Sequence, residues 1–133
     1  MHQILQKMIE SRFDKEKGVL YTVVQGTISS DEMKSHSDEW LEKLETMPML
    51  RILEDSRAAR PTFGTEMIDT FTETQRRFLN KFDHVRHAVI MEDPVKVAMA
   101  MLFDWIMKKK KSAYKMKVFS SLKSAEHWLM SDK

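Results

Sequence analysis

The run Val85-Arg86-His87-Ala88-Val89-Ile90-Met91 constrains the fold more than any other stretch of the chain. It is short, β-branched and apolar nearly throughout, which suits a strand covered on both faces, as in a parallel sheet. Parallel neighbours need crossover connections, and helices usually supply them. The rest of the sequence should therefore alternate strands with amphipathic helices.

It does. Residues 8–13 and 19–28 are short, apolar and partly alternating, separated by the polar turn Asp14-Lys15-Glu16-Lys17-Gly18, and predict an opening hairpin. Ser29 followed by Glu32 is a capping-box signature, after which Met33, Ser37, Trp40, Leu41 and Leu44 recur at helical spacing until Pro48. Residues 50–54 predict a short strand, and residues 55–65 a loop carrying Arg57, Arg60, Pro61 and Gly64. A second helix follows over residues 65–82, with Met67, Ile68, Phe71, Phe78, Leu79 and Phe82 on one face and Glu73, Arg76, Arg77 and Lys81 on the other.

After Met91, Asp93 and Pro94 open a third helix as N-cap and first-turn proline. Tyr114, Met116 and Val118 alternate with Lys115 and Lys117 as a half-exposed strand, and Ser121 caps a last helix that buries Leu122, Ala125, Trp128 and Leu129. The expected order is β-β-α-β-α-β-α-β-α. That is an α/β fold, an open, mixed, mostly parallel sheet of about five strands with four helices, in one domain over residues 1–133. Ligands of such sheets sit off the carboxyl ends of strands, here the loops after Ile28, Asp55, Met91 and Phe119.

Composition narrows the function classes. With no cysteine there is no disulfide framework, no thiolate metal ligand and no cysteine nucleophile, which suits a reducing, cytoplasmic setting. The formal net charge of +2 is too small for a dedicated nucleic-acid binder. Residues 1–10 contain no basic leader ahead of an apolar run, and no segment has the length of a membrane span, so neither secretion nor a transmembrane anchor is indicated. Twelve methionines are many for this length, and methionine fills irregular cores and adaptable apolar surfaces.

No motif names a reaction. His84 and His87 have neither the helical spacing of a zinc pair nor the alternate spacing of one strand face, and read as edge or core histidines. The acidic cluster from Asp31 to Glu45 lacks the alternation and central glycine of a calcium loop and reads as a solvated helix face. Ser56 has no nucleophile elbow around it, and Gly26 and Gly64 are too isolated to cradle phosphate. Arg57 and Arg60 are placed to bind a carboxylate or phosphate beside a helix start, or to be plain surface arginines. No cofactor or metal is implied. An enzyme would have to work with Arg57, Arg60, His84 and Glu92, and ranks below a non-catalytic reading.

The largest anomaly is the third helix. Val95, Ala98, Met99, Leu102 and Ile106 cover one face, while Val97, Met101, Phe103 and Trp105 cover much of the rest, ahead of Lys108, Lys109, Lys110 and Lys111. Burial within the same domain is one explanation. Another is a binding module whose Val97, Met101, Phe103 and Trp105 meet an apolar or amphiphilic, lipid-like molecule, a protein partner or a second subunit of a homodimer, with the lysines reaching a membrane surface.

Three stretches carry a family resemblance. They are Val23-Val24-Gln25-Gly26-Thr27-Ile28-Ser29-Ser30-Asp31-Glu32-Met33, then Arg51-Ile52-Leu53-Glu54-Asp55, and finally residues 117–129 with Phe119, Ser121 and Trp128-Leu129. Together they resemble the SpoIIAA-like fold of STAS domains and anti-sigma-factor antagonists and, more loosely, of CRAL-TRIO lipid-binding domains, over nearly the whole chain. The resemblance implies that fold and a non-catalytic role. Its antagonist branch is switched by phosphorylation of a serine in an Asp-Ser-Ser-Gly run; the matching stretch here is Thr62-Phe63-Gly64-Thr65, so an antagonist reading would have to work without the usual serine.

Overall fold

A computed structural model describes residues 6–60, 65–92, 94, 97–98, 100–101 and 113–131. Five strands form one sheet in the order of the sequence: β1 (Met8–Asp14), β2 (Val19–Gly26), β3 (Met49–Ala59), β4 (His84–Ile90) and β5 (Tyr114–Phe119). The β1–β2 hairpin is antiparallel and every later pairing is parallel. Three helices have full extents: α1 (Ser30–Lys43), α2 (Thr65–Lys81) and α3 (Leu122–Leu129). Between β4 and β5, Pro94, Val97, Ala98, Ala100 and Met101 are helical, where the sequence predicts the remaining helix.

The expected order therefore holds, with one strand longer than its local pattern. β3 continues through Asp55, Ser56, Arg57 and Ala58 to Ala59, where a loop was expected, because β2 pairs with it along that whole length, Gly26 meeting Ala59. A register shift between Val23 and Gln25 absorbs an extra residue, the bulge that a period-two reading does not anticipate.

Each helix begins as its sequence dictates. The Ser29 hydroxyl accepts from the Glu32 backbone N–H while the Glu32 carboxylate accepts from the Ser29 N–H, closing the capping box of α1. Ser121 caps α3 by accepting from the Ser124 N–H. Arg51 donates to the carbonyl of Leu129, and Arg86 to those of Trp128 and Ser131, so two sheet arginines satisfy carbonyls at the end of α3. In α3 only Ala125 and Leu129 are fully buried; Leu122, expected in the same stripe, is exposed in the first turn.

Sequential parallel steps taken with one hand put successive helices on one face. Accordingly α1 and α2 lie side by side there, joined by the Arg77–Asp38 ion pair and by Lys81, whose ammonium donates to the Leu41 carbonyl. Beneath them Leu20, Leu50, Ile52, Val85 and Val89 pack with Phe78 and Phe82. On the opposite face α3 covers Val19, Leu53, Ala88 and Ile90. Among the described residues no helix is long and apolar enough to cross a membrane.

Two glycines have positive φ, Gly18 at 67° and Gly26 at 74°, and they differ in surroundings. A Cβ on Gly18 would meet nothing within 4 Å, whereas one on Gly26 would lie 2.9 Å from the Lys7 Cα. Gly18→Ala should cost only the left-handed backbone strain of about 1–2 kcal/mol, and Gly26→Ala clearly more because backbone must move. Urea denaturation of the two variants measures the difference, and equal losses would contradict it.

Candidate functional site

The helices do not close fully onto the sheet. α1 contributes no fully buried residue, and between it, α2 and the sheet lies a cavity of about 240 Å³. Its walls are mostly apolar, including Val24, Ile28, Met33, Trp40, Phe71 and Met116. Drug-sized ligands occupy sites of roughly 300–1,000 Å³, so this space suits a smaller molecule. It reaches Gly26, Ala59 and Met91, at the carboxyl ends of three strands, as expected for an open α/β sheet.

A polar seam crosses the floor. Ser11, Thr22 and Glu54 are direct neighbours across β1, β2 and β3, and His87 and Tyr114 continue the line diagonally over β4 and β5. All five line the cavity. The seam carries two hydrogen-bonded groups. In the first, the Ser11 hydroxyl lies 2.7 Å from the Thr22 hydroxyl and 2.7 Å from His36 Nε2. In the second, Ser56 donates to Glu54 Oε2 at 2.5 Å, Glu54 Oε1 lies 2.9 Å from His87 Nε2, and His87 Nδ1 lies 2.7 Å from the Tyr114 hydroxyl.

Burial makes these contacts count. The Glu54 and His87 side chains are 14% and 10% exposed. Burial alone would push the Glu54 carboxyl up, but the hydrogen bond and charge of His87 and the bond from Ser56 outweigh it and hold the group below its ordinary value. Burial, with the Glu54 charge nearby, raises the Tyr114 phenol far above its ordinary value, so it keeps its proton. Phe71 and Phe78 meet the Tyr114 ring edge-on at 6.4 Å and fix it. The Tyr114 hydroxyl and the Glu54 carboxylate thus engage the two ring nitrogens of His87.

Gln75 on α2 also lines the cavity. It is 2% exposed, and neither its amide nitrogen nor its amide oxygen has a hydrogen-bond partner among the described residues. It stands where the apolar stripe of α2 should continue, four residues after Phe71 and three before Phe78. Ile68, assigned to that stripe by spacing, is exposed.

The residues singled out by sequence are scattered. Arg60 lines the cavity but is exposed, with its backbone N–H bonded to the Gly26 carbonyl. Arg57 belongs to β3, alternates with the inward Ser56, and pairs with Asp55 at 2.7 Å; that bond holds the Asp55 carboxyl below its ordinary value. An exposed pair of this kind adds little stability. His84 and Glu92 are exposed and outside the cavity. Val97 is half-buried and Met101 is 62% exposed. Phe103, Trp105, Lys108, Lys109, Lys110, Lys111 and Thr62-Phe63-Gly64 lie outside the described residues. Among the described residues no group of three or more histidines and carboxylates gathers as a metal site.

The sequence reading passed over Glu54, His36, Tyr114 and Gln75. One signal was present: each is a polar or ionisable residue on the inward side of an element whose neighbours at the same period are apolar, Leu50 and Ile52 before Glu54, Phe71 and Phe78 around Gln75.

The fold is SpoIIAA-like. The chain superposes on a protein of the DUF3478 family with a SpoIIAA-like fold from Shewanella loihica PV-4, with a TM-score of 0.63 and 14% identity over 97% of this chain and 98% of that one. An anti-sigma factor antagonist from Mycobacterium paratuberculosis is similar with a TM-score of 0.59 and 14% identity, over 96% of this chain and 95% of that one. No protein-family model matches the sequence, and no curated protein does. Likeness at this identity establishes architecture, and the site rests on the side chains themselves.

His36 offers a pH test. Burial is the main cause holding its imidazole below the ordinary value of 6.5, with Glu39 opposing and Lys43 assisting. The unfolded chain therefore takes up a proton before the folded one does. His36's contribution to stability is complete above pH 6.5 and is lost as pH falls below it. Denaturation followed from about pH 8 to about pH 5 should show this slope in the wild type and a flatter one in His36→Gln; parallel curves would show that the ring is solvated.

Proposed function

We propose that this chain is a non-catalytic binding module that encloses a small apolar or amphiphilic molecule in the cavity between its sheet and helices α1 and α2. One observation carries the reading: an interior space lined by apolar side chains, with a hydrogen-bonded polar seam along one wall. That is the composition of a ligand pocket, mostly apolar with a few placed polar groups. A packed core would have been filled at native density.

A catalytic reading has less support. Ser56 donates its hydrogen bond to Glu54, Tyr114 retains its proton, and His87 is engaged through both nitrogens, so this group of the seam holds no free nucleophile and no unengaged base.

Docking of a protein partner or a second subunit on the crossover helix is the second reading, and the exposure of Met101 favours it. It also fits the architectural likeness to an anti-sigma factor antagonist. The two readings use different surfaces and separate experimentally.

Thr74 lines the cavity from α2 and is half-buried. Thr74→Phe should fill the space, with a change in stability below about 2 kcal/mol, within the ordinary range of point substitutions. Wild-type protein purified gently and examined by native mass spectrometry should carry a small molecule, or take up octanol, and the variant should do neither. If the wild type retains nothing and binds no octanol, the ligand reading fails. Met101→Glu should leave octanol uptake unchanged, and should alter sedimentation only if the second reading is right.

A further inference from the structure

Among the described residues, the buried side-chain polar atoms that lack a hydrogen-bond partner both belong to Gln75, in the wall of the cavity. Glu54 accepts at one oxygen from Ser56 and is paired at the other with His87, His87 meets Tyr114 as well, and His36 and Thr22 share the hydroxyl of Ser11. Gln75 has no partner among the described residues for either end of its amide, although the side chain is buried and forms part of the wall. A buried unpaired amide costs free energy that leucine or methionine at the same place would avoid. Its presence on the apolar face of α2 makes sense when something else in the cavity completes it.

Charge limits what that can be. Among the described residues, the ionisable groups lining the cavity are Glu54, His36, His87, Tyr114 and Arg60. Glu54 places a negative charge on the floor. Arg60 is exposed, where water and salt screen it. An anion carried deep into the space would meet that carboxylate. A neutral group meets no such penalty.

We propose that the ligand carries an uncharged head group presenting a hydrogen-bond donor and an acceptor side by side, the chemistry of a primary carboxamide, and that this group pairs with the amide of Gln75 while the tail fills the apolar part of the cavity. The amide of Gln75 offers an oxygen and an N–H in one plane, and another amide matches both at once in good alignment, whereas an alcohol must donate and accept through a single oxygen that cannot align well with both. In the ligand-free state both amide atoms are sealed in the wall, so pairing requires the side chain to turn toward the cavity. The inference rests on the proposal that this cavity is the ligand site.

Three molecules with one tail separate the possibilities: octanamide, octanol and octanoate, titrated calorimetrically at neutral pH into the wild type, Gln75→Met and Glu54→Gln. In the wild type octanamide should bind at least about tenfold more tightly than octanoate and several-fold more tightly than octanol. Gln75→Met should erase the advantage of amide over alcohol while octanol binding persists, and should leave the ligand-free protein at least as stable as the wild type. Glu54→Gln should narrow the gap between octanamide and octanoate.

Octanoate binding as tightly as octanamide in the wild type overturns the head-group inference, a comparison that needs no variant to fold. An unchanged amide-to-alcohol ratio in Gln75→Met overturns it as well. If octanol and octanamide both fail to bind, the cavity reading falls with it; if octanol alone binds, only the inference about the head group is lost.

Discussion

A carboxylate inside a protein must be paired, and Glu54 sits on the inward side of the middle strand. Stranding such a charge by removing its partner costs about 3–5 kcal/mol, on the order of a small domain's whole stability. His87 and Ser56 supply the pairing, and Tyr114 fixes His87 from the other side. These contacts cross-link β3, β4 and β5 through side chains, in addition to their backbone ladders. They also commit that part of the sheet to polar residues of fixed position, over which a helix cannot pack an unbroken apolar stripe.

The layer above reflects this. α1 has no fully buried residue and is held by its capping box, by Leu44 just beyond its end and by its contacts with α2. α2 packs firmly at its carboxyl end through Phe78 and Phe82, and faces the open space at Thr70, Phe71, Thr74 and Gln75. On the other face of the sheet, under α3, Leu53, Ala88, Ile90, Ala125 and Leu129 form a small core, and Arg51 and Arg86 spend their donors on carbonyls at the end of α3.

Much of the architecture was legible in the sequence because the relevant signals are local. The capping box at Ser29 and Glu32, the alternation of Tyr114, Met116 and the lysines between them, and the continuous run at Val85 each depend on neighbours within a few residues. The extension of β3 to Ala59 was not legible, because it depends on pairing with β2 across a bulge. The site was less legible still. Glu54, His87 and Tyr114 are 33 and 27 residues from their partners along the chain, and only the register of parallel strands brings them together. Single residues such as Glu54 after Leu50 and Ile52, or Gln75 between Phe71 and Phe78, read as lapses in an apolar pattern until the opposing side chains are known. Arg57 illustrates the converse: the loop expected around it suggested a binding role, and its place in an outward strand position, paired with Asp55, removes it from the cavity.

The division of labour along the strands bears on why a space can persist here without undermining the fold. At the amino ends of β3 and β4, Leu50 and Val85 are fully enclosed, and Phe82 closes over them. Toward the carboxyl ends, Gly26, Ala59 and Ser56 are small, and the residues above them stand away from the sheet. In an open parallel sheet the carboxyl ends are where crossover loops diverge, so contacts are fewest there and a cavity sacrifices the least packing. Concentrating aromatic packing at one end leaves the other free to vary in shape and chemistry. Proteins with only 14% identity share this frame, and likeness at that level fixes the packed layers and the ladders without fixing the side chains that line the space.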